Sequence, residues 1–325
     1  MGAVRVRRGG SLFVLCGLLV AAVLARGWLG SALDVASVRI GATVFVAVCV
    51  QAFPFLVLGS LVSGSIAAFV PVGLLQRLLP RSELAAVGVA GLAGAALPGC
   101  ECASVPVARR LMRQGVPIPV ALAFLLAAPA INPVVLVATA VAFPATPSLV
   151  LARFLGSLAT ALVVGWLWSR WGRAEWIASR AVVAEPVGSR WSGFLTAVRA
   201  DLVEAGGFLV VGALATAVLN VVVPASWFGA VGGRPVVGVL VFAGLAVVLA
   251  VCSEADGFVA ASFASLPLLP RLVFLVVGPA VDVKLVALYG GAFGRAFVAR
   301  FVPVVFVAAV CSSVLVGLCL FRGYR

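Results

Sequence analysis

Apolar segments long enough to cross a lipid bilayer follow one another along almost the whole chain. They cover about residues 11–29, 38–70, 84–113, 117–143, 148–169, 201–223, 235–266, 272–293 and 297–321. A membrane-spanning helix needs about 20 predominantly apolar residues. The pattern therefore predicts an all-α protein, a polytopic transmembrane helical bundle of about nine spans.

The first apolar run follows three basic residues, Arg5, Arg7 and Arg8. It contains Val23-Leu24-Ala25, which resembles the small-residue cleavage site of a secretory signal peptide. We favour an uncleaved helix over a signal peptide. Residues 1–37 are then an N-terminal basic segment with a first transmembrane helix.

One polar stretch interrupts the apolar pattern at residues 170–190. It predicts a linker at residues 170–200 between a first unit at 38–169 and a second at 201–325. Arginine-rich connections favour the cytoplasmic side of a membrane. The linker is therefore expected in the cytoplasm, together with Arg109, Arg110, Arg113, Arg271 and the two terminal arginines, Arg322 and Arg325. With nine spans and a cytoplasmic linker, the basic N-terminus would lie on the non-cytoplasmic side of the membrane. That placement contradicts the preference of arginine-rich segments for the cytoplasm.

The two units resemble each other in sequence. Residues 51–71 read QAFPFLVLGSLVSGSIAAFVP and residues 204–224 read EAGGFLVVGALATAVLNVVVP, while residues 123–143 match 273–293 without a gap. The second match shifts the sequence by 150 positions, and the same shift aligns Cys102 with Cys252 and Asn132 with Asp282. The sequence therefore predicts two tandem repeats. Four spans in each would make the repeats parallel, related by an axis along the membrane normal.

Four interruptions break these apolar segments, at residues 98–102, 129–133, 252–256 and 279–282. Each is rich in proline or polar residues, which a continuous transmembrane helix does not tolerate well. Broken backbone at membrane depth lines a cavity or is buried in protein. Its free helix ends carry partial charges that bind ions or dipoles. The interruptions therefore predict a central binding site between the units.

The amino-acid composition excludes several classes of function. Of 325 residues, 64% are hydrophobic and 10% are charged, with a net charge of +13, whereas soluble domains average about 25% charged residues. The arginines lie in short connections and form no basic domain, so nucleic acid is excluded as a partner. No histidine is present, which excludes histidine metal sites and Ser-His-Asp catalysis. No cofactor is expected, and the chain is not predicted to be an enzyme.

Acidic residues inside the interruptions are the strongest candidates for chemistry. A charged group at membrane depth is costly and is usually functional. The chain's only lysine, Lys284, lies among them. Residues two apart face opposite sides of a helix, so its expected partner is Glu254 or Asp256 and not Asp282, unless the break at Pro279 distorts the turn. A structural ion-pair network is the alternative to a solute or proton pathway, and Asn132 could instead cap the carbonyl groups freed by Pro133.

Three cysteines, Cys100, Cys102 and Cys252, would converge if the units face each other. Three thiolates suit a soft metal or a trivalent metalloid. Packing is an alternative, because cysteine is commonly buried, and redox chemistry is a third. The sequence leaves all three open.

At these positions the chain resembles the bacterial predicted-permease family that includes the organoarsenical efflux permeases. The resemblance covers about residues 40–320. It rests on Pro98-Gly99-Cys100-Glu101-Cys102 with the following Val105-Pro106-Val107-Ala108, on Ala123-Phe124-Leu125-Leu126-Ala127-Ala128-Pro129-Ala130-Ile131-Asn132, on Cys252-Ser253-Glu254-Ala255-Asp256, and on Gly278-Pro279-Ala280-Val281-Asp282 with Lys284. Glu101 is a departure, because the family pattern usually reads Cys-Ser-Cys-Gly there. The resemblance implies a multi-pass permease, and in some relatives a second small membrane subunit.

The sequence thus predicts a secondary, alternating-access permease for a small solute of the metal-ion, metalloid or organometalloid class in the plasma membrane. A second subunit or a homo-oligomer is left open as partner, with the lipid bilayer around it. The rivals are a thiol oxidoreductase that uses Cys100 and Cys102 and a non-transporting subunit of a larger complex. The predicted solute-binding residues are Cys100, Glu101, Cys102, Pro129, Asn132, Cys252, Glu254, Asp256, Pro279, Asp282 and Lys284.

Overall fold

The fold is all-α. The computed structural model describes residues 36–71, 74–97, 100–177, 189–222, 235–263 and 266–321, and within those ranges it contains helices, turns and short connections but no strand. The predicted helical bundle is thereby confirmed. The first helix predicted at residues 11–29, Pro98 and Gly99 in the first interruption, and the terminal Arg322 and Arg325 lie outside the described residues.

The described helices fall into two groups on either side of the linker. The first group is α1 (Ala36–Phe69), α2 (Leu74–Leu78), α3 (Glu83–Ala93), α4 (Glu101–Arg113), α5 (Ile118–Ile131), α6 (Pro133–Ala142) and α7 (Pro147–Trp171). The second group is α8 (Arg190–Val222), α9 (Pro235–Leu249), α10 (Asp256–Ser262), α11 (Leu268–Val277), α12 (Val283–Ala292) and α13 (Arg295–Leu320). We refer to the groups as the first and second halves.

Five helical segments are long and apolar enough to cross a membrane: Val38–Phe69, Ile118–Ala142, Pro147–Trp171, Arg190–Val218 and Arg295–Leu320. The chain is therefore a multi-pass membrane protein. Helix α8 begins at Arg190, well before the apolar run at residue 201. Its first turns carry Arg190 and Arg199 among apolar residues, and a helix does not have to end where the bilayer does.

The long helices α1 and α8 pack side by side in opposite directions. Phe69 at the end of α1 meets Trp191 at the start of α8, with ring centroids 5.7 Å apart. Near the other end of the pair, Gly41 lies against Val221. We call the end of the bundle with Trp191 the linker end and the opposite end the far end.

Helices α7 and α13 are also antiparallel. Trp168, close to the linker, packs on Phe301 with ring centroids 5.4 Å apart. Gly156, nearer the start of α7, lies against Ser313. Helix α7 therefore runs from the far end to the linker end, and α13 runs back from the linker end to the far end.

The broken helices of the two halves also run in opposite directions. The backbone of Pro119, at the start of α5, lies against Gly165 near the end of α7, so α5 and α6 start at the linker end. The side chain of Leu269, at the start of α11, lies against Gly317 near the end of α13. Helices α11 and α12 thus start at the far end.

Helices α3 and α4 form a first hairpin, both of whose arms reach the linker end. On the entering arm, the side chain of Val87 lies close to Gly165 of α7. On the returning arm, Gln114 Nε2 donates a hydrogen bond of 3.3 Å to the carbonyl of Ile66 near the end of α1. This segment enters the bundle and turns back without crossing it.

Helices α9 and α10 form a second hairpin, which enters from the far end. Phe242 packs on Phe274 with ring centroids 6.5 Å apart, and further along α9 Ala246 approaches Gly278. Helix α9 therefore runs inward alongside α11. Helix α10 then packs against the last turns of α6 through Gly257, which returns the chain to the far end.

Each hairpin turns where the backbone leaves the helical region. Leu97 (φ −90°, ψ 104°) and Cys100 (φ −78°, ψ 177°) are extended on either side of the first turn. In the second, Ala250 has a φ of 48°, the single positive value among the non-glycine residues that the structure describes. Such a conformation is strained and persists only where the surroundings hold it. Both tips lie in the interior of the bundle.

These directions correct the predicted arrangement of the halves. The prediction of parallel halves with four spans each was wrong in the number of crossing segments, and therefore also in the relative orientation of the two halves. Each half has a hairpin that does not cross, which leaves an odd number of crossing segments, and corresponding helices run antiparallel. Arg271 is also at the far end, since its helix α11 starts there, and not beside the linker as expected.

Labelling from either face of a membrane vesicle tests this topology. Single cysteines at Arg81 and Pro117, which flank the first hairpin and are exposed, are expected to react with a membrane-impermeant maleimide from the same face as a cysteine at Arg173. A cysteine at Ala145, in the exposed far-end connection, should react from the opposite face. Reaction of the Arg81 and Pro117 positions from opposite faces would show that the segment crosses the bilayer.

Candidate functional site

The tips of the two hairpins meet in the interior of the bundle and bring the predicted residues together. Glu101 opens α4 on the first tip, and its carboxylate forms an ion pair with Lys284, the second residue of α12. The two residues are 1% and 0% exposed. The other carboxylate oxygen of Glu101 accepts a hydrogen bond of 3.1 Å from Ser253 Oγ on the second tip.

Lys284 has further contacts beside Glu101. Its Nζ lies 3.4 Å from Asp282 Oδ2 and 3.5 Å from Cys252 Sγ. The prediction that Glu254 or Asp256 would pair with Lys284 was therefore wrong. The spacing rule excluded Asp282 for a continuous helix, but Asp282 is extended and precedes α12 (φ −141°, ψ 173°).

A second buried ion pair lies between Asp256, the first residue of α10, and Arg153 of α7. Two nitrogens of the guanidinium reach the two carboxylate oxygens at 2.7 Å each. Arg153 also donates to Thr139 Oγ1 at 2.7 Å and to the carbonyl of Ser253 at 3.2 Å. A bidentate arginine–carboxylate pair is strong and fixes geometry.

Both ion pairs join the first half to the second, and each half supplies the acid to one pair and the base to the other. Glu101 is a first-half acid paired with a second-half base, and Asp256 is a second-half acid paired with a first-half base. Each acid is the first residue of a returning hairpin arm, where the helix N-terminus favours a negative charge. Ser253 bridges the pairs, because its hydroxyl contacts Glu101 and its carbonyl contacts Arg153.

Asn132 and Asp282 play the same local role in the two broken helices. Asn132 accepts a hydrogen bond of 2.9 Å from the backbone N–H of Val135, and Asp282 accepts one of 2.6 Å from that of Leu285. Both are N-caps that satisfy otherwise free N–H groups. Asn132 Nδ2 also donates to the carbonyl of Ala128 at 3.2 Å, which supports the capping interpretation of this residue.

The two predicted prolines are buried near these caps, and Pro279, but not Pro129, lies in the break itself. Pro129 lies within α5, three residues before the N-cap Asn132, and Pro279 lies in the turn between α11 and α12. Proline lacks an N–H and so leaves a carbonyl free. These residues shape the broken backbone, and they offer a solute no polar side chain.

Three thiols gather at the hairpin tips. The Cys100 thiol interacts with the thiols of Cys102 and Cys252, and all three cysteines are free and buried. Within the described ranges, however, no three Cys, Asp or Glu side chains are arranged to hold a metal ion. Metal binding by these cysteines stays a prediction that requires the thiols to move.

Glu254 stands apart from the ion pairs. It lies on the second tip between Ser253 and Asp256, and neither carboxylate oxygen bonds to another described residue although both are shielded from solvent. The cluster has more acidic than basic groups: Glu101, Glu254, Asp256 and Asp282 against Arg153 and Lys284. A cation or protons would offset this excess, since buried uncompensated charge is costly.

Residues 39–318 match the family described as predicted permease. The chain belongs to this family. As a member of the predicted-permease family, it is 33% identical over 285 residues to the UPF0718 protein YcgR of Bacillus subtilis, a match that covers 84% of this chain and 96% of that protein. It is 28% identical over 288 residues to a putative two-component membrane permease complex subunit of Streptococcus mutans, covering 84% and 94%. No solved structure matches.

Sequence reasoning about this permease missed Arg153, Thr139 and Ser253. Arg153 had a usable signal, because it is the single charged residue in the apolar run at residues 148–169 and a charge at membrane depth is functional by default. Thr139 and Ser253 gave no such signal. Hydroxyl residues are common in membrane helices, and only the contacts distinguish these two.

Proposed function

We propose that this chain is a secondary permease that moves a small solute of the metal-ion, metalloid or organometalloid class across the plasma membrane. The observation that carries the proposal is the pair of buried ion pairs, Glu101 with Lys284 and Asp256 with Arg153, each of which joins the two halves. Solute binding that weakens one of these pairs would change how the halves sit against each other. That is the requirement for alternating access.

The arrangement of the helices supports a duplication with inverted topology. Helices α5 and α11 begin 150 residues apart, at 118 and 268, and so do α6 and α12, at 133 and 283. Each half has, in the same order, a long helix, a hairpin, a broken helix and a second long helix. Inverted repeats with broken helices at their interface are a recurring transporter architecture, with the site near the midplane.

The distribution of arginines supports a cytoplasmic linker. Of the arginines that the structure describes outside the interior, most belong to the linker end, whereas Arg39 and Arg271 belong to the far end. Short cytoplasmic connections collect arginine, so we place the linker end in the cytoplasm. The linker-end arginines are Arg77, Arg81, Arg109, Arg110, Arg113, Arg170, Arg173, Arg190, Arg199, Arg295 and Arg300.

A partner subunit is part of the proposal. The Streptococcus mutans relative is named as a subunit of a two-component complex, and helix α1 presents Ile40, Val50 and Phe53 at its surface, each more than half exposed. Lipid or a second membrane protein can cover such a face. The flux experiment below is therefore run first with the purified chain alone.

Two neutral substitutions test the site. Asp282→Asn keeps an N-capping oxygen, and Glu254→Gln changes a side chain without a partner, so both proteins should insert and fold. Each removes a negative charge from the central cluster, and each is expected to reduce solute flux in liposomes to the level of protein-free liposomes. The measurement is initial uptake from a panel of metal ions, metalloids and organoarsenicals.

Glu83→Gln is the matched control, because this acid is exposed in the first turn of α3. It should transport like the unaltered chain. Normal flux in both Asp282→Asn and Glu254→Gln would contradict the placement of the site. If the unaltered chain moves no solute in the panel alone but does so with a co-expressed small membrane subunit, the chain is one part of a two-component permease.

A thiol oxidoreductase is the rival function. The adjacent thiols of Cys100 and Cys102 suit such a reaction, but both are 0% exposed, and thiol exchange requires access of the attacking group. Thiol trapping in native membranes separates the alternatives. The permease proposal expects both cysteines to stay reduced while flux persists, whereas a redox-dependent shift that is lost in Cys100→Ser would favour the oxidoreductase.

A further inference from the structure

A pocket opens toward the linker end directly beside the central ion pair. Val105 lines it from α4 and Leu288 from α12, and each lies four residues, about one helical turn, after a member of the Glu101–Lys284 pair. Phe208 lines it from α8, about one turn before Gly212, whose backbone touches that of Lys284. Three helices thus place the pocket one turn from the buried charges.

An aromatic ring from α8 forms one wall of this pocket. One edge of the Phe208 ring, with Cγ, Cδ2 and Cε2, lies directly against Gly291 of α12, so that a methyl group added at Gly291 would collide with it. Glycine at this position allows the ring to sit directly on the helix backbone. A small movement of α8 relative to α12 would lift the ring and connect the pocket to Lys284.

The outer rim of the pocket is closed by charged side chains that link α4 to α8. Arg109 and Glu204 form an ion pair of 2.6 Å. Beside it, Arg110 lies 3.6 Å from Asp201, which accepts a hydrogen bond of 2.5 Å from Ser63. Helix α4 belongs to the first half and α8 to the second, so these contacts close when the halves approach at this end.

We propose that this pocket is the linker-side entrance to the central site, with Phe208 as one closure, inside the second half, and the Arg109–Glu204 pair as the other, between the halves. The proposal rests on the proposed permease function, because an entrance has a purpose only if a solute travels to Lys284 and Glu101. The movement of the halves that separates the cross-half ion pairs also separates Arg109 from Glu204, whereas Phe208 is released by a movement of α8 against α12 within the second half.

The native thiols at the hairpin tips report on the entrance without a transport assay. Cys16, Cys49, Cys311 and Cys319 are replaced by serine, which leaves Cys100, Cys102 and Cys252 as reporters. A membrane-impermeant maleimide is applied to one face of oriented vesicles, and the labelling rate is read as a mass shift. With both closures in place the reporters are buried, so labelling is expected to be slow from either face.

Phe208→Ala is expected to raise the labelling rate about tenfold from the linker face alone, the low end of the range for removing a partly buried phenyl ring. Glu204→Arg places a third like charge beside Arg109 and Arg110 and should raise it about fivefold, the upper range for a partly exposed pair. The swapped double variant Arg109→Glu/Glu204→Arg restores the attraction and should return the rate to its starting value.

Arg199→Glu is the control, because it makes a similar charge change on an exposed residue of the same helix. It should leave the rate unchanged. Unchanged labelling in both Phe208→Ala and Glu204→Arg, or equal increases from both faces, would overturn the entrance. Faster linker-face labelling in a chain that moves no solute supports the entrance and counts against the permease, whereas lost flux with unchanged labelling rejects the entrance alone.

Discussion

Replacing Lys284 by methionine is expected to destabilise the protein by about 3–5 kcal/mol, because it leaves the Glu101 carboxylate buried without its cation. Asp282, 3.4 Å from the same ammonium group, loses a partner as well. The measurement is thermal or denaturant unfolding of the detergent-purified protein. Solute flux, measured on the fraction that folds, should fall to background.

The double variant Lys284→Met/Glu101→Gln removes both members of the pair and should recover most of the lost stability. A neutral glutamine can keep the hydrogen bond from Ser253 and carries no buried charge. Flux should stay absent, because the cross-half attraction is gone. Arg199→Met, an exposed position, is the control and should change stability little. Equal stability of Lys284→Met and the unaltered chain would show that the pair is not formed.

Replacing Arg153 by methionine is expected to have a comparable effect on stability, about 3–5 kcal/mol. Asp256 would lose both of its 2.7 Å contacts, and Thr139 and the Ser253 carbonyl would each lose a donor. Arg153→Lys keeps the charge but not the planar fork, so it should recover only part of the loss. Unfolding of the purified variants measures both.

Asp256→Asn in the Arg153→Met background provides the matched test. If the cost of the single variant comes from an uncompensated carboxylate, the double variant should be more stable than Arg153→Met alone. If the double variant is instead destabilised by the sum of the two single substitutions, Arg153 and Asp256 stabilise the fold through separate packing contacts. Because Ser253 bridges both ion pairs, Arg153→Met and Lys284→Met should also be non-additive, with a coupling of about 0.5–3 kcal/mol.

Local features of the helices were predictable from the sequence because their causes are local. The breaks near Asn132 and Asp282 follow from adjacent proline and polar residues, and the caps use the side chains three residues before the N–H groups that they satisfy. The acids Glu101, Glu254, Asp256 and Asp282 were found because buried charge is rare in apolar segments. All of them lie at the interior tips or breaks.

Partners and directions were not predictable in this way. Lys284 is paired with a residue 183 positions earlier in the chain, and Asp256 with one 103 positions earlier. A spacing rule for a continuous helix says nothing about such pairs. The parallel arrangement failed for a related reason: an apolar run broken in its middle has the same composition whether it crosses the bundle or turns back.

The sequence by itself determined that this chain is a multi-pass helical membrane protein with acids and one lysine at broken helices, because bilayer thickness and proline geometry act on consecutive residues. Only the tertiary structure decided that α3–α4 and α9–α10 are hairpins from opposite ends. It also decided that their tips share the two cross-half ion pairs. The physical reason is that ion pairs and close helix contacts depend on the positions of distant segments in space.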